Sequence, residues 1–158
     1  MLPFTAAARK PAERPPAPGY NRAMRPLHRL DAETREQAIA GIARALAGRR
    51  DLRFATVFGS ALERDAVHDL DVGIWTTTEA SRDLDLELAG SLSAGVGLPV
   101  DVRRLNEAPV AFLFRALRGR VVAVQDEGCL AEVMERTARV YHDLAPRLRQ
   151  ATRDAFAR

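Results

Sequence analysis

Residues 69–75 read Asp-Leu-Asp-Val-Gly-Ile-Trp, an alternation with a period of two. That period is the mark of a half-buried β-strand. It places Leu70 and Val72 on one face, toward a core, and Asp69 and Asp71 together on the other. Aspartate is depleted in strands, and two carboxylates leaving the same face repel unless a cation neutralises them. A hard divalent ion, which prefers oxygen ligands, is the natural neutraliser. An isolated Asp-x-Asp is ordinarily a pair of solvent-facing strand ends. A third aspartate changes the balance. Asp101 lies between Val100 and Val102 and also faces away from its apolar neighbours. If its strand lies beside the first, three carboxylates converge on one edge of a sheet.

The rest of the chain supplies the elements for such a sheet. Asp31 is placed to cap a helix whose apolar face runs Ile39, Ile42, Ala43, Leu46, closed by Gly48 and Arg49-Arg50-Asp51. Residues 53–58 form a β-rich run ending at Gly59-Ser60, and the Asp-x-Asp strand follows a short polar connection. A helix is expected over about 79–94, with Leu84, Leu88 and Leu92 four apart; then a strand over Pro99–Leu105, a helix over Glu107–Leu117 and a strand over Arg120–Gln125. Asp126-Glu127-Gly128 reads as a turn before a long final helix from about Leu130. Its apolar stripe is Val133, Met134, Tyr141, Leu144 and Leu148, and Pro146 is expected to kink or split it. This order predicts an α/β or α+β fold with a small mixed β-sheet flanked by helices and a long C-terminal helix.

Gly59-Ser60 gives the carboxylates a counterpart. Glycine lets the backbone approach a phosphate closely, successive N–H groups at such a junction form an anion-binding nest, and the serine hydroxyl adds a donor. A phosphate cradle facing a cage of aspartates is what two-metal phosphoryl or nucleotidyl transfer requires.

The charge balance points away from nucleic acid. The chain has 158 residues, a net charge of +3 and a pI near 9.7. Residues 1–30, however, hold six basic side chains against Glu13 alone, whereas the remainder holds 18 basic and 20 acidic groups. The positive excess belongs to a segment that also carries six of the nine prolines, a composition read as a disordered Pro/Arg-rich tail over 1–30. Deleting residues 1–23 is therefore expected to leave activity intact. Residues 31–158 form the single folded domain. The tail lacks the apolar core of a secretory signal, and no stretch of about 18 apolar residues offers a membrane span. The single cysteine, Cys129, excludes an internal disulfide and fits a reducing cytoplasm.

Phe54-Ala55-Thr56-Val57-Phe58-Gly59-Ser60 followed by Asp69-Leu70-Asp71-Val72 resembles the polymerase-beta-like nucleotidyltransferase superfamily. Within it, the small size is similar to the minimal nucleotidyltransferases, the MntA-type antitoxins of HEPN/MNT toxin–antitoxin systems. Pro99-Val100-Asp101-Val102 with Leu105-Asn106-Glu107-Ala108-Pro109 looks like that family's third-aspartate strand and following loop, and Gly119-Arg120-Val121-Val122 with the helix through Val140-Tyr141 fits its C-terminal pattern. The resemblance covers about 34–150. It implies a nucleotidyltransferase domain over 31–158 that moves AMP from ATP onto a tyrosine of a cognate HEPN-domain RNase toxin, using Mg2+ and a two-metal mechanism. By the same resemblance Gly59 and Ser60 hold the triphosphate and Asp69 and Asp71 bind both metal ions. Asp101 completes the second metal site and helps activate the attacking hydroxyl. Two departures stand out: only eight residues, Ala61–His68, separate Ser60 from Asp69, and Glu63-Arg64 stands where many relatives carry a basic residue three positions after the serine.

Other residues carry weaker signals. His68 is a solvated loop residue or a phosphate or base contact; Arg103 and Arg104 are a solvated strand end or a phosphate contact. Trp75 is core or the wall of a base pocket, Tyr141-His142 is packing, and Cys129 is a small packing residue. Arg115 and Arg118, at helical spacing, face an acidic partner or water. Two further functions compete with adenylylation: a non-catalytic antitoxin acting by binding alone, and a nucleotidyltransferase for a small molecule such as an aminoglycoside. The carboxylate trio disfavours the first, since a binding module has no physical reason to keep three repelling charges. The short chain disfavours the second.

Overall fold

The computed structural model describes residues 26–156. The Pro/Arg-rich segment up to residue 25 and the last two residues lie outside the described residues, as does the side chain of Leu148. Helix α1, Ala32–Leu46, is capped by Asp31, whose carboxylate accepts the Thr34 N–H at 2.9 Å, and it buries Ala38, Ile39, Ile42 and Leu46. Strand β2 (Leu52–Phe58) leads into a 3-10 turn, Gly59–Leu62, and strand β4 (Leu70–Thr76) follows. Helix α2 (Leu84–Val96) crosses to strand β5 (Val100–Arg104); helix α3 (Val110–Leu117), strand β6 (Arg120–Val124) and helix α4 (Glu127–Phe156) complete the chain.

The sheet order is β5-β4-β2-β6. β4 runs parallel to β5 and antiparallel to β2, and β6 is antiparallel to β2, so the sheet is mixed as the element order predicts. The parallel pair needs a crossover, which α2 provides. Alternate residues separate the two faces. Ala55, Val57, Leu70, Val72, Ile74, Val100 and Val102 pack against α1 and α2 in one apolar cluster. Phe54, Phe58 and Leu105 pack against Leu113, Ala116 and Leu117 of α3 and Val133 of α4 in a second.

Several boundaries differ from the sequence reading. His28–Arg29 form a short strand, β1, antiparallel to β3 (Ala66–Val67), and Leu30 is fully buried. The end of the 1–30 segment is therefore part of the fold, held by one buried leucine that composition averages away. Arg35 locks this corner, donating from Nε to the Ala61 carbonyl at 2.7 Å and from Nη2 to the Leu30 and Arg64 carbonyls at 3.2 and 2.8 Å. Helix α2 begins five residues later than expected, because Thr77 instead donates its N–H to the Asp51 carbonyl at 3.0 Å. Helix α3 waits for Pro109, which stands at its N-cap. Asp126 is a helix cap rather than part of a turn: its carboxylate accepts the Cys129 N–H at 2.9 Å, and α4 starts at Glu127. α4 runs through Pro146 without being split, since a proline deletes one amide donor while the turns on either side keep theirs. Among the described residues no helix is long and apolar enough to cross a membrane.

Candidate functional site

Strand pairing brings the carboxylates together. Asp71 is the register partner of Asp101 across the parallel β4–β5 ladder, so the two leave the same face of neighbouring strands, roughly 4.8 Å apart in the hydrogen-bonding direction. Asp69 precedes β4 by one residue, and all three line one cavity of about 590 Å³. The same cavity is lined by Phe58, Ala108, Pro109 and Phe112 and by Arg103, Arg104 and Arg115. The register explains why the sequence folds this way here: Leu70, Val72, Val100 and Val102 are all buried on the other face, and a slip of one residue would bury the aspartates instead.

Glycine 59 is the joint between this cavity and the preceding strand. Its φ is +80°, in the left-handed region, and a Cβ there would overlap Oδ2 of Asp71. Only glycine lets the turn press against that carboxylate without strain. Phe58, the last residue of β2, is the register partner of Asp71, so β2 delivers Gly59-Ser60 directly beside it. Gly59 and Ser60 line a second, adjoining hollow of about 330 Å³ with Glu63, Arg64, Arg115, Arg118 and Gly119. Phe58 and Arg115 border both spaces.

The five residues singled out from sequence thus fall into two adjoining hollows: Asp69, Asp71 and Asp101 in the larger, Gly59 and Ser60 in the smaller. The carboxylates are not closed into a cage. Among the described residues no three His, Cys, Asp or Glu side chains form a ready metal-binding group. Asp101 is engaged by its own strand neighbour, its Oδ2 accepting from Arg103 Nη2 at 2.8 Å and Nε at 3.1 Å. The donor set still suits a hard divalent cation: it offers oxygens alone, on one sheet edge, with Gly59 leaving the Asp71 carboxylate room at its flank.

The weaker candidates divide. Arg104 lines the cavity wall but is committed to the fold, reaching Asp85 at 3.2 Å and the carbonyls of Ser81 and Arg82. His68 Nδ1 is 3.3 Å from the Pro26 carbonyl and lines neither hollow. Trp75 stacks on Phe54 with centroids 5.7 Å apart, and Tyr141 stacks on Phe114 at 3.8 Å; both are packing residues. Burial pushes the Cys129 thiol pKa up, in keeping with a small apolar filler. Sequence reasoning assigned Arg115 and Arg118 to a partner or to water, whereas they border the site. The signal lay in their spacing of three at the end of α3, with Arg115 in its last turn and Arg118 at its C-cap, beside the buried Leu113, Ala116 and Leu117.

The polymerase beta nucleotidyltransferase family model matches residues 41–128, more than half of the chain. The chain belongs to this family. The match spans β2 to β6 and contains every residue of the two hollows. No curated protein matches the sequence. Among solved structures, it resembles a chain of the toxin–antitoxin MntA-HepT crystal structure, with 18% identity, a TM-score of 0.52 and coverage of 79% of this chain and 95% of that one. It also resembles a chain of a toxin–antitoxin crystal structure with AMP-PNP (19%, TM-score 0.54, covering 77% and 94%). A third is a chain of the tri-AMPylated Shewanella oneidensis HEPN toxin in complex with MNT antitoxin (19%, TM-score 0.53, covering 79% and 94%). These similarities establish a shared nucleotidyltransferase fold.

Proposed function

We propose that this nucleotidyltransferase is an MntA-type antitoxin that transfers AMP from ATP to a tyrosine of a cognate HEPN-domain RNase toxin, in the cytoplasm. The observation that carries the reading is the join at Gly59: a glycine turn pressed against Asp71, which is itself paired in register with Asp101. A phosphate-binding turn and a carboxylate edge on adjoining hollows fit a nucleoside triphosphate whose α-phosphorus lies at their boundary. The solved structures with MntA, an AMP-PNP complex and a tri-AMPylated HEPN toxin support the choice of nucleotide, reaction and partner.

In this reading Gly59 and Ser60 hold the triphosphate through backbone N–H groups and the serine hydroxyl. Asp69 and Asp71 would hold both Mg2+ ions and Asp101 the second; bound there, the ions would supply positive charge to neutralise the developing charge on the attacking and leaving oxygens. Asp101 also accepts hydrogen bonding from the incoming tyrosine hydroxyl and helps take its proton. The tyrosine oxygen forms a bond to the α-phosphorus, the α–β bridging P–O bond breaks, and pyrophosphate leaves with the electron pair. Both Arg103 contacts fall on Oδ2 of Asp101, so in this reading Oδ1 engages the metal and the hydroxyl while the guanidinium orients the carboxylate.

The test is incubation of the protein with α-labelled ATP, Mg2+ and the adjacent gene product, repeated with Asp69→Asn and Asp71→Asn. Label on the partner that disappears in both variants supports the reading. Neutralisation of the toxin that survives both substitutions overturns it in favour of binding alone.

A further inference from the structure

We propose that Arg115 and Arg118 form a guanidinium clamp for the β- and γ-phosphates, an inference that rests on the nucleotide reading above and assigns the polyphosphate its binding partners. Three observations converge. The smaller hollow is shared by Gly59, Ser60, Arg115 and Arg118, and Arg115 alone of the two also borders the carboxylate cavity. An anion held in the hollow therefore meets Arg115 where it would join a group lying against Asp71. Both guanidiniums rest on aromatic faces: Arg115 lies 5.3 Å from the Phe112 centroid and Arg118 5.9 Å from that of Phe114. Phe114 is braced in turn by its stack on Tyr141. Such seating limits the rotamers of a long side chain while leaving its N–H donors available.

The third observation concerns where α3 ends. A Cβ at Gly119 would overlap the Val57 carbonyl and crowd Cβ of Phe58 at 2.7 Å. The glycine lets the end of the helix close directly on the strand that delivers Gly59-Ser60, so the two arginines and the turn share one rigid corner. Glu63 stands three positions after Ser60, and the positive charge lining the hollow comes from Arg64 beside it and from Arg115 and Arg118 at the end of α3. Planar guanidiniums suit the bidentate geometry of phosphate oxygens.

Calorimetry with inorganic tripolyphosphate and Mg2+ tests the clamp on the full chain, with AMP as the control ligand. Arg115→Ala is expected to weaken tripolyphosphate binding by about 10- to 100-fold, as for loss of a charge-assisted hydrogen bond, and to weaken AMP binding by a smaller factor. Arg118→Ala is expected to lose less, and Arg115→Lys to fall between Arg115→Ala and the native protein, because it keeps the charge without the fork. Circular dichroism melts verify folding, and Arg115→Lys decides the matter if an alanine variant unfolds. Tripolyphosphate affinity within about twofold of the native protein in both Arg115→Lys and Arg115→Ala/Arg118→Ala, or no binding to the native protein, overturns the clamp. Arginine-dependent tripolyphosphate binding without AMP transfer to any partner leaves the clamp standing and removes the adenylylation reading. Transfer with an unchanged KM for ATP in Arg115→Ala does the reverse.

Discussion

The two faces of one four-stranded sheet have opposite assignments. On the face beneath α1 and α2, the inward residues of β4 and β5 are Leu70, Val72, Ile74, Val100 and Val102, all buried in one apolar cluster. On the other face the same strands present Asp71, Gly73, Trp75, Asp101 and Arg103. The difference comes from coverage. The eight-residue α3 and the beginning of α4 pack over β2 through Phe54 and Phe58, and their cluster reaches Trp75 toward the end of β4. Asp71 and Asp101, at the start of the β4–β5 pair, are left half-buried in the cavity. A face buried throughout can hold no charge without a steep desolvation cost; a face covered over half its width can keep an apolar anchor beside a polar site. Stability and chemistry are thus separated by the pleat of a single strand, residue by residue.

Substitutions on the opposite faces of β4 put the separation to its hardest test. Ile74→Ala is expected to cost about 2–5 kcal/mol of stability by chemical denaturation, with AMP transfer retained below the melting transition. Asp71→Asn is expected to do the opposite, lowering transfer by about 10²–10³-fold with only a small shift in melting temperature. If Asp71→Asn unfolds the protein, or Ile74→Ala removes activity from the folded form, the two faces are not independent.

The joint between strand and turn should show both effects at once. Gly59→Ala forces a side chain into a left-handed conformation and against the Asp71 carboxylate. It is expected to cost about 1–2 kcal/mol for the backbone, and roughly 10²-fold in transfer from a displacement of the order of 1 Å. Gly73→Ala meets Leu105 Cδ1 at 2.9 Å and Thr56 Oγ1 at 3.0 Å; there about 1–3 kcal/mol of overpacking is expected, with transfer much less affected. Thermal melts and single-turnover transfer measured on the same samples separate these outcomes.

The smallest effect comes from a carboxylate with no part in the site. The Cys129 N–H donating to Asp126, aided by Arg53, holds the Asp126 carboxyl below its ordinary pKa. A lowered folded-state value means stability that is present above the unfolded pKa of about 3.9 and is lost as pH falls through the folded value. Asp126→Ala is therefore expected to melt earlier than the native protein at neutral pH, the gap closing below about pH 4. A gap independent of pH would assign the cap to geometry rather than charge.

Much of this separation was legible before any coordinates. The period of two over residues 69–75 puts Leu70 and Val72 opposite Asp69 and Asp71, and Asp101 between two valines follows the same rule. What periodicity does not carry is adjacency: that β5 lies beside β4 with Asp101 opposite Asp71 is a product of the α2 crossover. Two-residue strands such as β1 and β3 have no period to read. Arg115 and Arg118, at the end of α3, were visible as a spacing, but the hollow they border is set by helix-on-strand packing. The Arg103 contact with Asp101 couples residues two apart on one strand face, a placement readable in principle from the period that identified the aspartates.

Arg35 holds the corner behind the Gly-Ser turn by main-chain oxygens, those of Leu30, Ala61 and Arg64. Carbonyls are common to every residue type, so these three bonds depend on the length of the connection rather than on its side chains; composition enters at Asp65, whose carboxylate accepts from Arg35 at 3.2 Å, and at Ala61 and Val67, which are buried. Side chains at Glu63 or Arg64 are free to drift without disturbing the corner. One inserted residue shifts which carbonyl meets the guanidinium and carries that offset toward Asp69. The connection behaves as a gauge: its exposed side chains tolerate substitution, whereas an insertion is expected to be tolerated only together with a change at Arg35.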